Sequence, residues 1–140
     1  MGWWSTDIMG GDTPLDFEDE FYEIAGVEKF PESGGKTRLN KETVEKNFDK
    51  FTDVVHKHSY EQEIGWQVLA VVALSAGINI PVVAMAEMKQ ACMNDQWATE
   101  DNERRITIDS LLNSLNTYDG TPIIINSRGL FEVMAQKLGK

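Results

Sequence analysis

Few side chains in this sequence are equipped for chemistry, and their spacing says more than their number. His56 and His58 are the only histidines. Their i, i+2 separation points them to different faces of a helix, so they make a poor pair of ligands for one metal ion. Carboxylates are abundant. Glu20 and Glu23, Glu42 and Glu45, and Glu100 and Glu103 each stand three residues apart, so each pair shares a helix face and has the donor chemistry for a hard cation such as Mg²⁺. Lys36, Lys41, Arg104 and Arg105 supply cations that could grip a phosphate. The single cysteine, Cys92, has no neighbour that would activate it as a nucleophile. It travels with Met85, Met88 and Met93 in a stretch rich in soft apolar side chains, which reads as core or as an adaptable partner-binding face. No phosphate-binding glycine loop is present, since Gly10-Gly11 and Gly34-Gly35 both lack the surrounding pattern.

Charge narrows the function classes. The chain has 140 residues with 13 Lys+Arg against 23 Asp+Glu, a net charge of −10. Nine of the acids fall within residues 1–35, where Lys29 is the only base. Such a surface repels phosphate backbones and anionic lipid and attracts basic protein surfaces. Direct nucleic-acid binding is therefore excluded, and a basic protein partner is the expected one. One cysteine permits no internal disulfide, and 140 residues bury enough surface to fold without one. A cytoplasmic setting follows. No basic stretch followed by an apolar run opens the chain, so no secretory signal is expected. Residues 1–6 match the loose myristoylation pattern, but two bulky tryptophans follow the glycine and no polybasic patch adds a second anchor.

The elements that must position these groups are helical. Thr13 as cap, Pro14 in the first turn, and Asp16, Glu18 and Asp19 at the positive end of the dipole predict a helix carrying Phe17, Phe21 and Ile24 and ending at Gly26. Residues 30–38 predict an exposed, flexible loop. Asn40 caps a helix whose Val44, Phe48, Phe51 and Val55 make an apolar stripe. Residues 64–86 are long and apolar enough to span a bilayer, but Gly77, Asn79 and Pro81 interrupt them and acids flank them, so two buried helices are expected. Thr99 is the predicted cap of a further helix bearing Ile108, Leu111, Leu112 and Leu115. Residues 122–125 form an extended buried connector or pair with residues 3–8, and Ser127 caps a last helix with Leu130, Phe131, Met134 and Leu138. The expected fold is a single all-α domain over 1–140, about six helices around one core, with residues 1–12 as an N-terminal strap. Its core should contain Phe17, Phe21, Val44, Phe48, Phe51, Trp66, Leu69, Val72, Ile108, Leu111, Leu115 and Phe131.

Residues 1–17 are the most unusual in composition, with adjacent Trp3 and Trp4 among glycines and aspartates. They read as a tryptophan-anchored strap, tied down by Asp7 and Asp12 bonding to turn amides, or as a site made of exposed indole, glycine amides and acids. Met1-Gly2-Trp3-Trp4, Gly11-Asp12-Thr13-Pro14 and Leu15-Asp16-Phe17 resemble the opening of a family of small bacterial and phage proteins, a domain of unknown function. The resemblance covers about 25 residues and implies a small soluble helical protein with no established activity. It departs from the usual form at Trp3, Met9 and Pro14.

Two functions follow as expectations. The first is a non-catalytic accessory protein that docks an acidic surface on a partner, with Trp3, Trp4, Asp7, Asp12, Asp16, Glu18, Asp19 and Glu20 as binding residues. Such a surface would suit antagonism of a host or defence factor that normally holds nucleic acid. The second is a Mg²⁺-dependent hydrolase of nucleotides or phosphate esters, with Glu20, Glu23, Glu100 and Glu103 as ligands and Arg104 or Arg105 beside the phosphate. Oligomerisation is left open.

Overall fold

The computed structural model describes residues 5–125. Helix α1 (Asp12–Ala25) starts one residue before the predicted cap. Gly11, in extended conformation, is the N-cap, and Thr13 lies inside the first turn. Pro14 therefore occupies the third helical position, where its missing N–H would have had no intrahelical acceptor in any case. Helix α2 (Lys41–Lys57) is capped as expected, with Asn40 Oδ1 accepting from Thr43 N–H at 2.8 Å. A single 3₁₀ turn (Ser59–Glu61) leads into α3 (Gln62–Ala76), which ends at Gly77 in the left-handed conformation. Helix α4 (Val82–Met93) follows Pro81. The predicted division of residues 64–86 into two helices is what the chain adopts. Among the described residues no helix is long and apolar enough to cross a membrane.

The region after α4 differs from expectation. Asp95 caps a five-residue helix, α5 (Gln96–Glu100), by accepting from Ala98 N–H at 2.8 Å, and Asp101 caps α6 (Asn102–Thr117) by accepting from Arg104 N–H at 3.0 Å. Thr99 sits within α5 and caps nothing. Two aspartates six residues apart each stand three residues ahead of an amide, and aspartate is at least as good a cap as threonine, so the segment breaks in two. Five helices of twelve residues or more thus lie within the described residues, with no strand among them. The predicted last helix over residues 127–138, and Phe131 with it, lies outside the described residues.

Helix α3 is central and packs on α1, α2, α4 and α6, while α4 also packs on α6 and α1 on α2. Its position explains its composition: a helix with neighbours on most sides is apolar around most of its circumference. Every predicted core residue within 5–125 is buried in one contiguous cluster. Residues 122–125 form the extended connector rather than a strand. Ile123 N–H donates to Leu74 O at 2.8 Å, and Ile123 and Ile125 pack on the core. Gly77 makes this possible twice over, since its φ is 75° and a Cβ there would lie 2.7 Å from the Pro122 ring.

Gly65 marks the closest approach of α3 to α1 and α2. A Cβ there would lie 2.9 Å from two Phe17 ring carbons and 3.0 Å from a Val55 methyl. Gly65→Ala gains up to about 1 kcal/mol in helix propensity but overpacks the junction at a cost of about 1–3 kcal/mol. The expected result is a melting temperature lower by roughly 3–5 °C. A variant as stable as wild type would show that the junction has room for a methyl group.

Candidate functional site

The predicted acidic residues do not act as one group, because the helix sorts them. Positions 14, 17, 18, 21 and 22 make the inward face of α1, so Glu18 is buried beside Phe17 and Phe21. This corrects its assignment to an exposed binding surface. Its carboxylate is held by Lys29 Nζ and Lys36 Nζ, each at 2.8 Å. Together with the Tyr22 hydroxyl, which donates to Thr37 O, and Thr37 N–H, which donates to Lys29 O at 2.8 Å, these ion pairs fasten the 30–38 loop to α1.

Burial and then the Glu18 charge push the Tyr22 phenol up to about 12. Burial alone would lower Lys29, but the Glu18 and Asp19 carboxylates outweigh it and hold its ammonium above the usual lysine range. Both groups bind their protons more tightly folded than unfolded. The stability they contribute is whole below about pH 10 and is lost as pH rises through the raised folded values. Urea unfolding measured from about pH 8 to 12 should show that decline, and Tyr22→Phe should make it shallower while costing about 1 kcal/mol at neutral pH for the lost hydrogen bond. An unchanged slope would remove Tyr22 from this account.

The outward face of α1 has the opposite character. Asp12, Asp16, Asp19 and Glu23 are all exposed, and their i, i+4, i+7, i+11 spacing makes one acidic stripe along the helix. At its side Asp16, Asp19, Glu20 and Glu61 surround a cleft of about 380 Å³ together with Thr13, Phe17 and His58. His58 Nε2 lies 3.1 Å from Glu20, with Lys57 Nζ 3.5 Å from the same carboxylate, and its ring stands edge-on to Phe17 at 5.1 Å. Next to Glu61, Tyr60 projects into solvent with 99% of its surface exposed. Tyr60 belongs to none of the motifs or spacings of the sequence. Its signal was its place in a polar run, Ser59-Tyr60-Glu61, where no apolar periodicity would bury it.

The arrangement required for the hydrolase is not formed. Glu20 and Glu23 are on α1, whereas Glu100 and Glu103 are exposed on α5 and α6, which do not touch α1. Glu45 Oε2 accepts from Asn79 N–H at 3.3 Å, away from either pair. Among the described residues no three His, Cys, Asp or Glu side chains come together to hold a metal ion. His56 stands edge-on to Trp66 at 5.6 Å, apart from His58, as the i, i+2 spacing requires. Arg105 is paired with Asp109 at 3.7 Å on an exposed face.

Arg104 is buried, which corrects its role as a phosphate-gripping residue. It is 1% exposed. The spacing 104, 108, 111, 115 places it on the inward face of α6. Its Nη2 donates to Asp95 Oδ2 at 3.0 Å and to Gln67 Oε1 at 2.9 Å, and its Nη1 donates to the carbonyls of Thr6 and Asp7, both at 3.2 Å. Gln67 Nε2 donates in turn to Asp95 Oδ2 at 2.9 Å and to Ala91 O at 3.2 Å. The guanidinium lies over the Trp97 ring at 4.7 Å. This network joins the N-terminal residues to α3, α4, α5 and α6.

Within that N-terminal segment Ile8 and Met9 are buried and Asp7 is half-buried. The turn is closed by Ser5 N–H donating to Gly10 O at 3.2 Å, Gly10 N–H to Asp7 O at 3.1 Å, and Asp7 N–H to Ser5 Oγ at 3.3 Å. The Asp7 backbone is thus an anchor, its carbonyl accepting from both Gly10 N–H and Arg104 Nη1. Asp12 is exposed in the first turn of α1, where its charge suits the helix dipole. Trp3 and Trp4 lie outside the described residues. Cys92 is buried, and burial followed by the Asp95 charge pushes its thiol up to about 12, which suits packing and not nucleophilic attack. No family model, no curated protein and no solved structure matches this chain.

Proposed function

We propose that this is a non-catalytic binding protein that docks the acidic outer face of α1 onto a basic surface of a protein partner. It would be an accessory protein of the bacterial or phage kind that its opening residues resemble, working in the cytosol against a factor that holds nucleic acid. The observation that carries the reading is the stripe Asp12, Asp16, Asp19 and Glu23 beside the cleft of Glu20, His58 and Glu61. Four of the six acids of α1 face outward in that stripe and the helix itself carries no base, so its outward potential is negative. Complementary charge raises association rates and fixes orientation. Tyr60 supplies what the charges lack, a rigid amphipathic ring of the type that anchors interfaces.

Asp16 and Glu23 are exposed and engage in no ion pair among the described residues, so they can be reversed without dismantling the fold. The Asp16→Lys/Glu23→Lys variant should keep the wild-type melting temperature within a few degrees. Titrated calorimetrically with an oligolysine peptide, it should bind about tenfold more weakly or worse. Tyr60→Ala should leave the peptide affinity nearly unchanged yet lose protein partners captured from bacterial lysate, and capture should fall as salt rises. Retention of peptide and partners by both variants would refute the assignment of this face.

A further inference from the structure

His58 sits where the acidic face meets the end of α2, and the fold fixes its ring. It is the C-cap of α2, with its N–H donating to Val55 O at 3.3 Å, and the ring stands edge-on to Phe17 at 5.1 Å. Nε2 is thereby held 3.1 Å from Glu20 Oε2, with the two side chains 36% and 34% exposed, so both protons and a partner's cations reach the pair. Each element around the cleft brings charge to it. Helix α1 supplies Asp16, Asp19 and Glu20, the 3₁₀ turn supplies Glu61, and α2 supplies Lys57, whose Nζ is 3.5 Å from Glu20 Oε1. Asp19 is bound by Lys29 at 2.9 Å. Asp16 and Glu61 line the cleft without an ion pair among the described residues, and Glu20 is shared between Lys57 and His58. Of the side chains gathered here, histidine is the type whose charge changes between about pH 5 and 8.

Building on the acidic face as a docking surface for a basic protein, we propose that His58 is a proton switch on this cleft, setting how readily Glu20 takes a lysine or arginine side chain of the partner. Protonated His58 puts a positive charge against Glu20 that the partner's cation must displace, whereas neutral His58 leaves only a ring dipole there. The two cations compete for one carboxylate, so docking drives a proton off His58 and, by reciprocity, loss of that proton strengthens docking. Affinity therefore rises with pH. Contacts of Lys or Arg with Asp or Glu keep their charges through this range, so a slope is the mark of the histidine. Two unit charges about 5 Å apart at a wet surface couple by about three- to fivefold in affinity at low salt, and less as salt screens them.

Calorimetric titration of the full chain with oligolysine at about 20 mM salt should show affinity rising about three- to fivefold from about pH 5.5 to 8. Repeated near the middle of that range in buffers of different ionisation enthalpy, it should show a fraction of a proton released for each peptide bound. His58→Gln keeps a side chain able to hydrogen-bond Glu20 but unable to take charge. It should bind with an affinity independent of pH and release no proton. His56→Gln should keep both effects, because His56 stands against Trp66 of α3 and lines no part of the cleft. The proton count is read on the wild-type chain, so it tests the switch whether or not His58→Gln folds. Equal affinity at both ends of the pH range with no proton released, or a slope that survives in His58→Gln, would overturn the switch and leave the acidic face standing. No binding of oligolysine at any pH would overturn both.

Discussion

Arg104→Met should destabilise the protein by about 3–5 kcal/mol, the usual consequence of removing one partner from a buried ion pair. Asp95 is 7% exposed and is left with Gln67 Nε2 and the Ala98 amide as its donors. The carbonyls of Thr6 and Asp7 lose a donor at the same time. For a domain of this size the loss is a third or more of a typical total stability and about 10–20 °C in melting temperature. Arg104→Lys should recover only part of it, because an ammonium cannot present the flat fork that reaches Asp95, Gln67 and two main-chain carbonyls together. Arg104→Met combined with Asp95→Leu should be more stable than Arg104→Met alone, since it removes the orphaned charge, although α5 then loses its cap at about 1 kcal/mol. Guanidinium unfolding checks all three. A single variant within about 1 kcal/mol of wild type would mean that the network contributes little.

Phe21→Ala should cost a comparable 3–5 kcal/mol, through transfer and cavity rather than charge. Phe21 is fully buried, its ring 4.9 Å from Phe51 on α2 and 6.4 Å from Phe17 on its own helix. Truncation leaves a void between α1 and α2, which their packing on each other and on α3 keeps from collapsing. The Phe21–Phe51 pair should also couple. In a double-mutant cycle with Phe51→Ala, an interaction of about 0.5–1.5 kcal/mol beyond the buried area is expected from tilted aromatic contact. Additive losses would mean that the two rings act only as independent hydrophobic volume. The acidic stripe on the other side of α1 should be indifferent to both changes as long as the helix remains folded.

Helix positions and the core were legible in the sequence because both are local. The Val44, Phe48, Phe51, Val55 stripe needs only the 3.6-residue repeat to be read, and Asn40 needs only its distance from the Thr43 amide. The same repeat also held two messages that charge obscured. Glu18 falls between Phe17 and Phe21 on the inward face, and Arg104 heads the row Ile108, Leu111, Leu115, so both were marked for burial by position while their chemistry argued for solvent. What reverses that argument is a partner remote in sequence. Lys36 is eighteen residues from Glu18, and Gln67 is thirty-seven from Arg104.

A buried charge is tolerable only when its counter-ion and hydrogen-bond partners arrive from other elements, and that depends on how helices pack, which no local pattern encodes. The same holds for the candidate surface. Composition alone marks residues 1–35 as acidic and the stretch that becomes α4 as largely apolar. It takes the packing of the helices to gather Asp16, Asp19, Glu20 and Glu61 around one cleft and to leave Tyr60, Val82, Val83 and Met93 exposed. Charge and hydropathy belong to residues, whereas exposure belongs to the packing of α1 and α4 on α3.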